Sequence, residues 1–201
     1  MLKRIFDIIV SGLVLLVVWP VILLAAIITK IVSPGPSFYL AKRVGKDGEI
    51  FEMYKLRSMH LASDTGMAIT APGDKRIFPF GQIVRKTKID ELPQFWNVLI
   101  GDMSIVGPRP EDPQIVADHY TGWMQETLET RPGITSPGAV FGYLEGDEYL
   151  LGGDVERAYV NKLLPQKLKI ELDYLRRASF VKDIGVIYQT ARAIVVTALK
   201  R

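Results

Sequence analysis

The sequence predicts a mostly helical α/β fold whose N-terminus is embedded in a membrane, and three observations carry that prediction. From Ile8 to Thr29 there is no charged residue, a run of 22 positions. As a straight helix it would reach about 33 Å, enough to cross the hydrocarbon core of a bilayer. Next, Phe38-Tyr39-Leu40 and Ile50–Tyr54 flank Gly45-Lys46-Asp47-Gly48, whose Asp-Gly pair signals a β-hairpin. The last segment, Asp183–Lys200, carries its apolar residues at roughly helical spacing. The breaker cluster Ser33-Pro34-Gly35-Pro36 ends the apolar run and divides residues 1–33, a membrane segment, from residues 34–201, a compact domain. No repeat or linker divides that domain further, and 201 residues suffice for one real core.

Composition narrows the chemistry. Lysine and arginine total 25 against 22 acidic residues, a net charge of +3. That is too weak to argue for nucleic acid, and no arginine-rich run or zinc-ligand spacing supports it. Without cysteine there are no disulfides and no thiolate nucleophile. With His60 and His119 as the only histidines, a metal site must rest mainly on oxygen ligands, which points to magnesium or manganese.

The apolar run admits three readings. A cleaved signal peptide fits poorly, because the run exceeds the usual length and no small-x-small site precedes a polar start. A spanning anchor and a re-entrant hairpin, broken at Pro20 and returning to the side it entered, both remain. Pro20 leaves pieces of about 18 Å and 15 Å, each too short to span. Lys3 and Arg4 on one flank and Lys30, Lys42, Arg43 and Lys46 on the other both favour the cytoplasm, which only a re-entrant path satisfies. Proline is nevertheless tolerated in spanning helices.

Further along, His60 to Lys75 reads as a mobile polar loop and Phe80–Lys86 as a short helix. Gly101–Gly107 reads as a turn into a short buried strand, and Glu111–Thr130 as helix. Ser136–Gly153 reads as irregular, and Asp154–Arg177 as a helix interrupted near Pro165. A last helix over Asp183–Lys200 carries Ile184, Ile187, Ala191, Ile194, Val195 and Ala198 on one face, which either closes the core, the favoured reading, or lies on the bilayer.

The chemistry centres on Lys88-Ile89-Asp90-Glu91-Leu92-Pro93-Gln94. Pro93 suits the first turn of a helix, which places Asp90 and Glu91 at a helix N-terminus, where carboxylates are favoured. A plain N-cap is the commonest reason for such a pair. The cations Lys55, Arg57, Arg85, Arg109 and Arg131 precede or sit in turns, and Pro108 and Pro110 hold Arg109 on both sides. Cations around an exposed carboxylate pair suit phosphoryl transfer: arginines clamp phosphate, one carboxylate holds Mg2+ and another attacks phosphorus. Paired-acid glycoside hydrolysis fits less well, because adjacent side chains rarely flank a sugar.

These motifs resemble the bacterial sugar transferases, also called small monotopic phosphoglycosyl transferases. The matching residues are Lys3-Arg4-Ile5-Phe6-Asp7, Lys55-Leu56-Arg57-Ser58-Met59, Lys88 to Gln94, Asn97 to Ser104, Gly107-Pro108-Arg109-Pro110 and Arg131-Pro132-Gly133-Ile134-Thr135. The resemblance covers essentially the whole chain. It implies a re-entrant membrane helix, a catalytic domain on the cytoplasmic face of the bacterial inner membrane, and amphipathic helices at the interface. It also implies transfer of a sugar-1-phosphate from a UDP-sugar to a polyprenol phosphate with Mg2+, releasing UMP. By position, Asp90 would be the nucleophile, Glu91 would help bind the metal, and Lys55, Arg85 and Arg109 would contact phosphate. Two departures stand out. Trp19 replaces the serine that often precedes the helix-breaking proline, and Ser136–Tyr143 replaces Gly-Leu-x-Gln-Val-Asn-Gly-Arg without its arginine. A divergent sugar preference is expected there. A non-catalytic membrane relative and a lipid-phosphate phosphatase remain as alternatives, and homodimerisation is left open.

Overall fold

The computed structural model describes residues 2–61, 70, 73–150 and 154–200, with the side chains of 198–200 excepted. Its longest element is a single 31-residue helix, α1 (Leu2–Val32), with Pro20 inside it rather than between two helices. A proline removes one backbone donor, and the rest of the ladder carries the helix past it. Among the described residues α1 is the one helix long and apolar enough to cross a membrane, and its middle is largely uncovered. The buried residues of α1 are Asp7 and Ser11 near one end and Ala25, Ala26 and Thr29 near the other.

Polar groups fix both ends. At the first, Asp7 accepts from the Ser104 hydroxyl at 2.8 Å and the Ile105 amide at 3.1 Å. Arg4 donates to the carbonyls of Val98 at 2.6 Å and Leu99 at 3.0 Å. Lys3 pairs with Asp183 at 2.6 Å, and the rings of Phe6 and Phe180 meet edge to face. At the other end, Ser37 donates to the Ala26 carbonyl at 2.7 Å. The Arg57 guanidinium donates to the Pro36 carbonyl, the Ser33 hydroxyl and the Ser33 carbonyl.

The expected hairpin forms from β1 (Phe38–Val44) and β2 (Ile50–Leu56), antiparallel with Phe38 opposite Leu56 and Val44 opposite Ile50. Its turn places Asp47 at φ 58° and Gly48 at φ 83°, the conformations that favour this dipeptide. Helix α2 (Pro79–Lys86) leads through a short turn to α3 (Gln94–Ile100), which ends on Gly101 at φ 104°. Asn97 is fully buried and staples α3 to β2: it accepts from the Tyr54 amide and donates to the Glu52 carbonyl. Strand β3 (Ser104–Val106) is buried throughout and pairs in parallel with β4 (Gly133–Thr135). Ala41, Met53, Val98, Met103, Ile105, Val106 and Val186 form the core between these layers.

Three expectations need correcting. The segment 111–130 is not one helix: α4 (Pro113–His119) stops at Tyr120, which turns into the second core, and a tighter 3-10 stretch, Gly122–Glu129, follows. The supposedly irregular 136–153 stretch contains α5 (Pro137–Tyr149), started by Ser136, whose hydroxyl accepts from the Ala139 amide at 2.9 Å. Ser-Pro is an N-cap followed by a proline at N1, a start signal outweighed in the sequence by the five glycines of 136–153. Residues 151–153 lie outside the described set, as does most of the expected loop after His60. The interruption expected near Pro165 is present: α6 (Val155–Ala158) passes through a wide π turn over Tyr159–Leu163 into α7 (Leu164–Leu175), whose first turn holds Pro165. Finally, α8 (Phe180–Lys200) buries only part of the expected stripe: Ile187 packs against the core, but Ile184 and Val195 are 42% and 57% exposed, and Val186 and Ala193 face inward instead.

The contact between β3 and β4 leaves no room for a side chain. A Cβ at Gly133 would lie 2.1 Å from the Gly107 nitrogen and 2.7 Å from the Thr135 oxygen, both backbone atoms. Gly133→Ala is therefore expected to cost about 2 kcal/mol or more of stability and to lower the denaturation midpoint. Denaturant titration followed by circular dichroism checks it, with an unchanged midpoint contradicting the packing described.

Candidate active site

Asp90 and Glu91 stand in a tight turn, Ile89–Glu91, immediately before Leu92, Pro93 and α3. The turn is entered through Lys88, a non-glycine residue at φ 60°. Such a conformation costs about 1 kcal/mol, which the surroundings must supply. The Glu91 amide closes back on the Lys88 carbonyl at 3.1 Å, and the Lys88 amide on that of Arg85 at 3.2 Å. Both carboxylates therefore emerge on one side, between α2 and α3.

Their environments differ. Glu91 is surrounded by cations: its Oε1 lies 3.1 Å from Arg109 Nη2, 3.5 Å from Lys88 Nζ and 4.0 Å from Lys55 Nζ. Burial opposes its charge, but Arg109, Lys88 and Lys55 together outweigh burial and hold the carboxyl well below the usual range. Asp90 is buried, and its Oδ1 has no hydrogen-bond partner. Burial, with the neighbouring Glu91 adding to it, raises its pKa against the pull of Lys55, Lys88 and Arg85. Burial also lowers Lys55 to about 8 despite the countering charge of Glu91. Two adjacent acids are thus split, one held ionised and one left with an unoccupied oxygen.

The fold brings together Lys55 from β2, Arg85 from α2, and Arg109 from the loop after β3. Arg85 lies 3.4 Å from the Ser58 hydroxyl. It does not bring Arg57 to the pair, because that guanidinium is consumed by Ser33 and Pro36 at the end of α1. Arg131 is also elsewhere, donating through Nε to the Gly101 carbonyl at 2.8 Å at the far end of α3. Lys88 was missed as a site residue, although its i,i+3 spacing to Glu91 was visible in the sequence. Its ammonium also sits over the ring of Tyr143, 4.8 Å from the centroid, so α5 covers one flank of the site.

A buried network supports Arg109 from behind. The Gly133 amide donates to the Pro108 carbonyl at 2.9 Å, which suspends the loop between β3 and β4. Glu111 accepts from the Tyr159 hydroxyl, and Lys167 donates to that same hydroxyl at 3.0 Å. Glu171 on α7 accepts from the Ser136 hydroxyl and, at 3.5 Å, from the Arg109 amide, while its Oε2 has no partner. α5 and the Arg109 loop therefore meet at one buried carboxyl.

Two adjacent carboxylates with an unpartnered oxygen, inside a ring of cations, form a hard-oxygen site for phosphate and for a divalent ion completed by substrate oxygens. Among the described residues no cluster of three or more acidic, histidine or cysteine side chains offers a self-sufficient metal cage. The arrangement sets two carboxylates among cations in the same domain as a long apolar helix. Residues 1–197 match the bacterial sugar transferase family, and the chain belongs to it. It is 34% identical over 97% of its length to a UDP-glucose:undecaprenyl-phosphate glucose-1-phosphate transferase of Caulobacter vibrioides, spanning 70% of that protein. It is 35% identical over 96% of its length to a UDP-N-acetylgalactosamine-undecaprenyl-phosphate N-acetylgalactosaminephosphotransferase of Aeromonas hydrophila, but spans only 43% of it. An exopolysaccharide production protein of Rhizobium leguminosarum is 35% identical, with 94% of this chain aligned to 92% of that protein.

Glu171 carries a pH signature. Burial raises its pKa from 4.5 to about 7, against the Ser136 hydrogen bond and the charge of Lys167. A folded-state pKa above the unfolded value means that the native state binds the extra proton, so this carboxyl makes stability fall as pH rises from 4.5 to about 7. In Glu171→Gln that part of the slope is expected to vanish. Melting temperatures of both proteins across this range test it, and parallel curves would contradict it.

Proposed function

We propose that this protein is a membrane phosphoglycosyl transferase that moves a sugar-1-phosphate from a UDP-sugar to a polyprenol phosphate such as undecaprenyl phosphate. The observation that carries the reading is Asp90, a buried carboxylate with an unpartnered Oδ1 beside a Glu91 already neutralised by three cations. An oxygen free of hydrogen bonds keeps its lone pairs for reaction. Asp90 attacks the sugar-bearing phosphorus of the donor, the bond to the bridging oxygen breaks, and UMP leaves with that electron pair. The resulting aspartyl phosphosugar is then attacked by a phosphate oxygen of the polyprenol phosphate, which releases Asp90. Arg109, Lys55, Lys88 and Arg85 stabilise the charge that builds on the phosphoryl oxygens. Asp90 and Glu91 would hold Mg2+, which when bound supplies further positive charge against the donor phosphates; two adjacent carboxylates are the hard-oxygen donors such an ion takes. The related proteins are named for different sugars, so the donor sugar is a matter for measurement.

The placement agrees with this chemistry. In this reading residues 1–33 are the re-entrant segment, with Pro20 at its middle, and residues 34–201 are the catalytic domain on the cytoplasmic face of the inner membrane. What supports the re-entrant path is that both ends of α1 are tied to the same body, at Asp7 and at Ala26, while the residues around Pro20 are uncovered. Ile83 on α2 and Trp96 and Ile100 on α3 are 49% or more exposed, and they form an apolar underside suited to the interface.

Two experiments test these statements. Intact mass spectrometry of the protein with Mg2+ and a panel of UDP-sugars, without lipid acceptor, is expected to show a phosphosugar adduct that is absent in Asp90→Asn. UMP release with polyprenol phosphate should fall by on the order of 10⁴-fold or more in that variant and about 10²- to 10³-fold in Arg109→Ala. Full activity in Asp90→Asn would sink the covalent route. Because the chain has no cysteine, single cysteines at the exposed positions Leu2 and Ile31 report topology directly. Both are expected to resist an impermeant maleimide in intact cells and to react after lysis; labelling of Leu2→Cys alone from outside would mean a spanning helix.

A further inference from the structure

A cavity of about 460 Å³ lies away from the carboxylate pair. It lies at the opposite end of α3, where the first turn of α1 meets β3, the strip Glu129–Arg131 and the turn between α7 and α8. Asp90, Glu91, Lys55, Arg85 and Arg109 do not line it. The seven residues of α3, about 10 Å of helix, separate the two places.

Two guanidiniums converge on this cavity. Arg4 donates to the Val98 and Leu99 carbonyls, and Arg131 donates through Nε to the Gly101 carbonyl, so both occupy the carboxyl end of the same helix. Like charges so placed repel, and an anion between them relieves the repulsion. Arg131 is exposed, and among the described residues its Nη1 and Nη2 have no protein acceptor. The two buried carboxylates of the cavity are already matched: Asp7 by Ser104 and Ile105, and Asp183 by Lys3 and Tyr174. Exposed Lys46 at the rim is already paired with Asp47 at 2.8 Å, and exposed Glu129 is the one acid lining the cavity with no partner among the described residues.

The position of the cavity identifies the ligand. Leu2 and Ile5, 65% and 51% exposed, belong to the apolar helix, while Lys3 and Arg4 on the same turn are cationic, so the bilayer surface passes through this turn. Phe180 on the wall and Val181 beside it, 80% exposed, continue the apolar rim. A cavity at that depth, lined by apolar as well as charged groups and with the free Nη atoms of Arg131 at its mouth, is matched to an amphiphile with a phosphate group. We infer that this cavity is a second phosphate-recognising site, which holds the phosphodiester of a bilayer phospholipid between Arg131 and Arg4. It is separate from the transfer site and fixes the depth at which the domain rides on the membrane. The inference rests on the membrane placement proposed above, but not on the transfer chemistry.

Native mass spectrometry of the full chain, extracted in detergent and titrated with a short-chain phosphatidylglycerol, tests it without an activity readout. Wild type is expected to retain one phospholipid, and Arg131→Gln to bind it about tenfold more weakly, the loss of one charged hydrogen-bonding partner. Glu129→Gln is expected to bind more tightly, a gain that misfolding cannot produce. Arg109→Gln, at the other site, should bind as wild type does. Equal lipid retention by wild type, Arg131→Gln and Glu129→Gln would overturn the assignment. Displacement of the lipid by millimolar inorganic phosphate would overturn its lipid part, because the site would then recognise the free anion. A chain recovered from cells without detergent would overturn both this site and the membrane placement, whereas a membrane-bound protein that retains no lipid would overturn the site alone.

Discussion

The guanidinium of Arg4 on the last carbonyls of α3 is the contact on which the rest of the structure depends. A helix carboxyl end gathers unpaired carbonyls and partial negative charge, and Arg4 answers both from the first turn of the membrane helix. The same α3 is stapled to the hairpin by Asn97 and preceded by the Asp90–Glu91 turn. One short helix thereby relates three things: the membrane segment at one end, the reactive carboxylates at the other, and the sheet that supplies Lys55 between them. A shift of α3 would move all three relative to each other.

The two carboxylates show how one local sequence acquires two characters. Adjacent residues share almost the same burial, so desolvation alone cannot distinguish them. What distinguishes them is which side chain the cations reach. Arg109, Lys88 and Lys55 all converge on Glu91, while Asp90 is left with an oxygen that no group satisfies. The left-handed backbone at Lys88 helps to create this difference, since it turns the chain so that its own ammonium lies near Glu91 rather than in solvent.

Much of this was legible in the sequence for identifiable reasons. The membrane helix, the hairpin and the carboxylate pair follow from an uncharged run, an Asp-Gly turn and a proline after two acids, all of them local signals. The cations were legible as a set but not as a place. Arg57 and Arg109 look alike in sequence, and only tertiary contacts send one to the end of α1 and the other to Glu91. Helix α5 was hidden because its glycines lower helix propensity. One of them, Gly138, is required by packing: a Cβ there would lie 2.6 Å from a Glu171 oxygen. The exposed stripe on α8 was misassigned because periodicity shows that a face is apolar without showing what covers it.

The pairing of Lys3 with Asp183 spans 180 residues of chain. At roughly 5–20 residues per second of synthesis, about 10–40 s separate the emergence of these partners from the ribosome. Throughout that interval the apolar helix is complete and its docking surface is not, because Ser104 and Ile105 arrive late and Phe180 later still. The helix must therefore reach the lipid before the domain exists to receive it, and maturation runs from the membrane outward. The helix that carries Phe180 and Asp183 is made long after α1 and is the one that latches it.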